Sequence, residues 1–510
     1  MELAAFIIPI ILFFILLVGA AMAVWNRIMH IKRNILLGKP LYFYKSWVED
    51  WAFPSKKEVA YQTRFVNGHY ESALTVGGSS ACNGTGKNSD EAENNAAKVF
   101  CLQNGINKNA ERMRNMLLIA LGQKKMFERP LVGIMHMVIY VGFILINIEL
   151  LEIILDGLTG QHRLFAPVFG SFYTWLIGFF ELVGLLVSMS CVVFLVRRNV
   201  LKLGRFQKPE MVGWASLDAN LILFFEMVLV TLLYTMNATD SVLQARGVAG
   251  YVHEGMEPMR FLISQALIPI YSGFSNESLK LLERVAWWGH ICGIISFSIY
   301  VTYSKHLHIV LAFFNTYYAD LRNRGQMKNM ENITKEVKLA MGLIEDTTSS
   351  EEVVDMNFGA KDVQQLSWKN ILDAYTCTEC GRCTSVCPAN LTGKKLSPRK
   401  IMMDTRDRAE LVGIQLDNNN GQWQDDGKAL YGHHISKEEI LACTTCNACV
   451  EACPVNINPL DIILQIRRHI TMEEANVPDA WKSMFANVEN TQAPWAFPAS
   501  DRFKWAEEIK

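Results

Sequence analysis

The chain has 510 residues, half of them apolar and 19% charged, with a mean hydropathy of +0.14. That is the profile of a polytopic membrane protein carrying a soluble portion, and a formal net charge of −1 gives no reason to expect nucleic acid or another polyanion as a partner. Eight of the 12 cysteines fall in two compact groups, with Cys82, Cys101, Cys191 and Cys292 scattered, so metal ligation in a reducing compartment is expected and a disulfide framework is excluded.

Five segments are apolar and long enough to cross a bilayer, which takes roughly 20 helical residues. They lie at about 3–25 ("LAAFIIPIILFFILLVGAAMAVW"), 131–155, 171–196, 214–238 and 286–304. The first has no basic n-region and no small-residue cleavage site, so it reads as a retained span. The apolar character of the fifth runs past Lys305 to about Phe314, which predicts a helix protruding into water.

Basic residues follow the first span (Arg27, Lys32, Arg33), precede the second (Arg112, Arg114, Lys124, Lys125, Arg129) and join the third to the fourth (Arg197, Arg198, Lys202, Arg205, Lys208). The loops at 156–170 and 239–285 mix few basic residues with acids. The positive-inside rule then sets the N-terminus outside and everything beyond the fifth span in the cytoplasm, the reducing side that the cysteines also require.

Residues 40–110 connect the first two spans. Their middle, "TVGGSSACNGTGKNSDEAENNAAK", is rich in Gly, Ser and Asn and reads as a flexible insertion (about 62–108) with Cys82 and Cys101 as free thiols. In the outer loop, "PMRFLISQALIPIYSGF" is apolar enough to lie along the membrane surface or cap the bundle. After the membrane domain (1–320) come a charged linker (321–365), a cysteine-bearing domain (366–470) and a tail (471–510) that would dock a partner.

The first cysteine run is Cys377-x2-Cys380-x2-Cys383-x3-Cys387-Pro388, and the second is Cys443-x2-Cys446-x2-Cys449-x3-Cys453-Pro454. This is the bacterial two-cluster ferredoxin spacing, in which the fourth cysteine of each run ligates the other cluster. One [4Fe–4S] cluster is therefore expected on Cys377, Cys380, Cys383 and Cys453, and the other on Cys443, Cys446, Cys449 and Cys387. Zinc sites also use C-x2-C, but four cysteines per run, each ending in Cys-Pro and then repeated, argue against zinc. Between the runs, "SPRKIMMDTRDRAELVG" (Ser397–Gly413) starts with a serine cap and Pro398 in the first turn, so a helical ferredoxin domain is expected.

Histidines mark the spans. His290 and His308 are 18 residues apart in the fifth, five turns of a straight helix, so they would share a face about 27 Å apart, with His306 turned elsewhere. His136 lies seven residues from the basic cytoplasmic start of the second span, and an antiparallel neighbour would bring it near His308. Paired imidazoles on adjacent spans are how a bundle holds haem b. His136 with His308 is the expected pair, His306 the substitute for His308, and a second haem at His290 lacks a partner, since Ile146 stands ten residues after His136. The alternative use of such histidines is hydrogen bonding to a neighbouring helix. Glu149, Glu152, Glu181, Asp218 and Glu226 also lie within spans, where they would relay protons or hydrogen-bond between helices.

Five spans with histidines on the second and fifth resemble the cytochrome b (gamma) subunit of respiratory nitrate reductase. In that family two histidines on each of those helices hold two haems; His136, His290 and His308 match, and the fourth position is missing. The stretch "YSKHLHIVLAFFNTYY" (Tyr303–Tyr318), the paired cysteine runs and "NTQAPWAFPASDRFKWAEE" (Asn490–Glu508) resemble membrane-bound iron–sulfur oxidoreductases related to heterodisulfide reductase. There the late element introduces a domain with CCG motifs; none occurs before Lys510, so the resemblance implies substrate-side chemistry on a separate polypeptide.

The combined expectation is an all-α protein, a five-helix transmembrane bundle followed by a cytoplasmic dicluster ferredoxin domain, in a bacterial inner membrane. It would pass electrons between a quinone, menaquinone by resemblance, and a CCG-domain protein or a flavoprotein such as electron-transfer flavoprotein. The alternatives are a wire and scaffold without its own quinone site, and an anchor whose histidines bind no haem.

Overall fold

Helix α1 (Glu2–Ile35) continues for ten residues beyond the apolar stretch that defines its span. The computed structural model describes residues 2–52, 59–66, 69–104, 106–252, 257–323, 325–326, 331–343, 358–507 and 509; parts of the linker at 321–365 lie outside them. The last turns of α1 carry Arg27, His30, Arg33 and Asn34, polar groups that leave the apolar zone and meet the soluble domain.

After α2 (Phe43–Ala52), the chain forms an antiparallel sheet, β1 (Val59–Val66), β2 (His69–Val76) and β3 (Ser79–Gly86), in the order β1-β2-β3. The fold is mostly helical as expected, but the stretch read as a flexible insertion forms a sheet. Val76 pairs with Ser79 across Gly77 and Gly78, whose positive φ angles of 65° and 82° suit a tight hairpin turn. The later glycines permit close packing against α3 (Ser89–Gln103): a Cβ on Gly84 would stand 2.1 Å from the Ala96 nitrogen. Ala92, Ala96, Ala97, Phe100 and Cys101 give α3 its buried face, and Asn88 caps it by accepting from the Glu91 N–H. Cys82 and Cys101 lie in the core of this unit with Trp47 and Leu74. Burial pushes the Cys101 thiol up to about 11, which suits packing and not reactivity.

Three long apolar helices follow: α4 (Pro130–Thr159), α5 (Ser171–Leu195) and α6 (Trp214–Ala245). Proline in the first turn opens α4, and Gly160 at φ 71° closes it. With α1, the described residues hold four helices long and apolar enough to cross a membrane. A fifth exists if the next helix and its continuation count as one span. The protein is therefore mostly helical and membrane-associated.

That fifth element is bent. Helix α7 (Asn276–Val301) ends, and the chain turns by 86° before continuing through Lys305–Tyr317, the last ten residues of which form α8 (His308–Tyr317). The straight-helix argument that put His290 and His308 on one face is thus overturned. Ser304 is the physical cause: its side chain accepts from the His306 N–H, starting a new helical turn. Asp218 on α6 holds the corner, accepting from Tyr300 Oη, Ser304 Oγ (2.7 Å) and the Lys305 N–H (3.3 Å).

Other acids inside the bundle are also tied down. Glu181 accepts from Asn237 Nδ2 and from the N–H groups of Ile263 and Ser264. Glu152 accepts from Tyr173 Oη and the Phe165 N–H. Buried Arg163 pairs with Asp240 and donates to Asn237 and Tyr173. Met259 and Phe261, from the apolar outer loop, bury against Tyr173, Ile177 and Phe180 and cap this end of the bundle. Glu149 is buried with one carboxylate oxygen that no described group contacts.

The soluble domain is built on α9 (Trp368–Thr376), α10 (Pro398–Asn418) and α11 (Pro459–Arg468). Ser367 and Asn370 form a reciprocal cap at α9, and Ser397 caps α10. Its core takes in Ile31 from α1 and Leu307 from the bend, each contributing about 1.5–3 kcal/mol on burial. Arg27 grips Glu410 with two hydrogen bonds of 2.9 and 2.8 Å, and Asn34 donates to Tyr375 Oη. A Cβ on Gly413 would overlap Asn34 Oδ1 at 2.1 Å, so glycine is required where α10 crosses α1.

Candidate functional site

Each cysteine run folds by the same local device. The residue before the second cysteine and the residue after it are left-handed: Glu379 (φ 54°) and Gly381 (φ 70°) in the first run, Thr445 (56°) and Asn447 (59°) in the second. Two such residues around one cysteine curl the backbone into a tight loop, so that the cysteines of the run share one concave side. Gly381 has a second reason to lack a side chain, since a Cβ there would stand 2.5 Å from Arg399 Nη1. That space is taken by a guanidinium.

The loops border two cavities. Cys377, Cys380, Cys383 and Cys453 line one, together with Gly381, Arg382 and Arg399. Cys387, Cys443, Cys446 and Cys449 line the other, with Thr444, Asn447 and Leu460. Each cavity therefore brings three cysteines of one run together with the fourth of the other. Among the described residues, no group of three or more His, Cys, Asp and Glu side chains converges tightly enough for a single metal ion. Four thiols standing around a volume suit a multi-iron cube better than one tetrahedral zinc.

Backbone N–H groups already point at sulfur: Ile457 donates to Cys453 Sγ (3.3 Å) and Thr445 to Cys443 Sγ (3.4 Å). Burial pushes the Cys377 thiol up to about 12 and the Cys453 thiol up to about 11. Ligation of a metal centre by these thiols would release their protons.

The first cavity abuts the bundle. Arg382 Nη1 donates to the Lys125 carbonyl (2.9 Å), and Lys125 Nζ returns to the carbonyls of Glu451 (2.9 Å) and Cys453 (3.3 Å). Glu379, 3% exposed, pairs with Lys305 at the bend and with Arg406 Nη1 at 2.8 Å. Burial alone would raise the Glu379 carboxyl, but Lys305 and Arg406 outweigh it and hold the group below its usual range. Lys305 also lies 3.8 Å from Asp218, so a line of buried charge runs from α6 into the first cysteine loop. The second cavity is nearer to water, and Cys446 is exposed.

The histidines separate into two places. The rings of His136 and His308 lie 6.4 Å apart, and that of His306 lies 5.4 Å from His308. His136 Nδ1 meets Gln123 Oε1 at 2.9 Å, and His308 Nδ1 meets the Lys305 carbonyl at 3.1 Å. With Nδ1 so engaged, Nε2 of each ring is the nitrogen left to ligate. His290 is buried on α7 with Nδ1 at 2.9 Å from the Leu229 carbonyl. Its ring stacks on none of the other three histidines among the described residues.

Sequence reading missed Gln123, Lys305, Glu379 and Arg399. Lys305 and Glu379 are 74 residues apart, so no local pattern links them. Gln123 (φ 49°) sits in a left-handed turn just before α4 that aims its amide at His136, and it carried no motif.

The description "4Fe-4S dicluster domain" names the family model that matches residues 376–457. Among curated proteins, the "Probable iron-sulfur-binding oxidoreductase FadF" of Bacillus subtilis is 26% identical over 428 residues, covering 78% of this chain and 55% of its own length. The "EtfAB:quinone oxidoreductase" of Syntrophomonas wolfei is 23% identical over 449 residues, covering 81% of this chain and 56% of its own length. One polypeptide of the ferredoxin/F420H2-dependent CoB-CoM heterodisulfide reductase of Methanosarcina acetivorans is 31% identical over 109 residues, 21% of this chain and 53% of that polypeptide. The chain thus spans about half the length of the curated relatives it matches. No solved structure matches it. In its dicluster domain between Thr376 and Ile457 and in the relatives it matches, the chain is similar to iron–sulfur oxidoreductases.

Proposed function

We propose that the chain is a membrane-anchored respiratory electron-transfer subunit linking a quinone pool, menaquinone by resemblance, to a cytoplasmic redox partner. The observation that carries this is the setting of the first cavity. It is seated on the loop leading into α4, the helix of His136, while the second cavity opens toward water through Cys446.

Cys377, Cys380, Cys383 and Cys453 would hold one [4Fe–4S] cluster; Cys387, Cys443, Cys446 and Cys449 would hold the other. His136 and His308 would hold haem b, a donor set favoured by the oxygen partners at both Nδ1 atoms. His306 is the substitute ligand, and His290 would serve a second haem only with a partner ligand. When bound, these groups supply one-electron transfer. The chain's own residues position and insulate: Gln123 and the Lys305 carbonyl orient the two imidazoles, and Glu379 with Lys305 and Arg406 anchors the first cysteine loop to the bundle.

The name of the Syntrophomonas relative favours an electron-transfer flavoprotein as the soluble partner; a CCG-domain iron–sulfur protein, from the heterodisulfide reductase resemblance, is the alternative. The lysine and arginine distribution supports an inner-membrane orientation with the N-terminus outside and the cluster domain cytoplasmic.

Purified protein should contain roughly eight non-haem irons with matching acid-labile sulfide, show b-type absorption bands, and have those bands reduced by a menaquinol analogue. Clusters and haem that no quinol reduces would instead mark a wire without its own quinone site. Absence of b-type bands would mark an anchor with structural histidines.

A further inference from the structure

The two cavities differ in fixed charge. Arg382 and Arg399 line the first, and no charged side chain lines the second. Arg399 is fully buried; its Nη1 donates to the Arg205 carbonyl (2.7 Å) and its Nη2 to Glu210 (2.8 Å). Arg205, in the loop between α5 and α6, packs on Gly381, the residue that follows Cys380. Among the described residues, no acceptor meets buried Nε or Nη1 of Arg205, or Nε of Arg399.

One of these donors belongs to Arg399, which lines the cavity, and two belong to Arg205, packed behind Gly381; buried donors without acceptors are costly unless something there accepts from them. A sulfur-rich anionic group is the matching chemistry. Glu210 offsets one of the three guanidinium charges, and Glu379 in the first cysteine loop is matched by its own partners Lys305 and Arg406, so the surroundings of the first cavity remain net cationic. Near the second cavity a single guanidinium, that of Arg467, stands outside the lining as Arg205 does at the first; it donates to the carbonyls of Ile440 and Cys443 at 2.8 Å and has one buried Nε that meets no acceptor among the described residues.

We infer that Arg205, Arg382 and Arg399 form a cationic collar that raises the reduction potential of the cluster in the first cavity, with Arg205 acting on it from the membrane domain. One-electron reduction adds a negative charge to a thiolate-ligated cluster, and fixed cations in a low-dielectric site stabilise that charge. Hydrogen bonds to sulfur act in the same direction. The poise of this cluster is therefore set jointly by both domains. The inference rests on reading the first cavity as a [4Fe–4S] site.

The test is an EPR-monitored redox titration of the full-length protein in detergent, with the signal lost in Cys446→Ser identifying the second cluster. Arg205→Gln should keep the wild-type iron count and lower the midpoint of the first cluster by at least tenfold in its redox equilibrium, about 59 mV for one electron. The second midpoint should stay in place. Arg205→Lys should shift the same midpoint by less, and Arg382→Gln should lower it as well. If both clusters are present and neither Arg205→Gln nor Arg382→Gln moves the first midpoint, or both midpoints move equally, the collar is overturned. Wild-type protein that binds no iron–sulfur cluster would overturn the cluster assignment itself, and the collar with it.

Discussion

The two cysteine cavities share their spacing, their paired left-handed residues and their exchanged fourth cysteine, yet they stand in different surroundings. The first is walled by guanidinium groups and stitched to the bundle through Arg382, Lys125, Lys305 and Glu379. The second is lined by Thr444, Asn447 and apolar side chains, and Cys446 reaches solvent. A repeated motif can therefore yield two non-equivalent sites. Ligand identity is local, whereas charge, hydration and the neighbouring domain come from where the fold places each loop.

The largest expected effect follows from the exchanged cysteines. Cys377→Ser and Cys453→Ser should disturb the same cluster although 76 residues separate them, each removing about half of roughly eight irons. Cys387→Ser should disturb the other, and iron counts with EPR of the three variants check this. If Cys377→Ser and Cys453→Ser affect different signals, the pairing across runs is wrong.

Next in size is a kinetic difference between the cavities. Under a mild oxidant with a chelator, iron should leave the second cavity first, because Cys446 is exposed while Cys377 and Cys453 are buried. Following the two EPR signals over time gives the order, and simultaneous loss would erase the distinction.

Lys305→Met probes the anchor of the first cavity alone. Its Nζ joins two carboxylates that are almost completely buried, Asp218 and Glu379. Removing one partner of a buried pair costs about 3–5 kcal/mol, so thermal unfolding in detergent should fall by several degrees. Arg406 still pairs with Glu379 and hydroxyls still reach Asp218, which favours the lower end of that range. The second cluster's EPR signal should be unchanged.

The smallest effect concerns the contact of α1 with α10. The Arg33 hydrogen bond, with His30, draws the Asp417 carboxyl down from 3.8 to about 2. A carboxyl depressed by folding adds stability that is complete above its unfolded value and is lost as pH falls through its folded value. The contact should therefore weaken between about pH 4 and pH 2, and Asp417→Asn should flatten that part of the stability profile. The group is substantially exposed, so solvent and salt keep the effect small.

Much of this molecule is legible in its residues, and the failures are instructive. Four long spans follow directly from apolar runs, because a bilayer demands continuous hydrogen-bonded helix over its whole thickness. The bend after Val301 did not, because apolarity continues through it; the signal was Ser304, a good helix cap in the middle of an apparent span. Glycine and serine in "SSACNGTG" suggested flexibility, yet Gly84 and Gly86 exist to let α3 approach β3. Gly77-Gly78 is a hairpin-type pair that marked the turn between β2 and β3.

By itself, the sequence determined where helices could cross a bilayer, which cysteines could ligate metal, and that their two runs would curl alike. Those properties depend on neighbours within a few residues, through apolar length, cysteine spacing and tolerance of positive φ. Only the tertiary structure decided that a corner would part His308 from His290, that Lys305 would bind Glu379, and that Arg205 of a membrane loop would lie against Gly381. Such contacts join residues tens to hundreds of positions apart. They arise because buried charges and donors must find partners wherever packing brings the chain together.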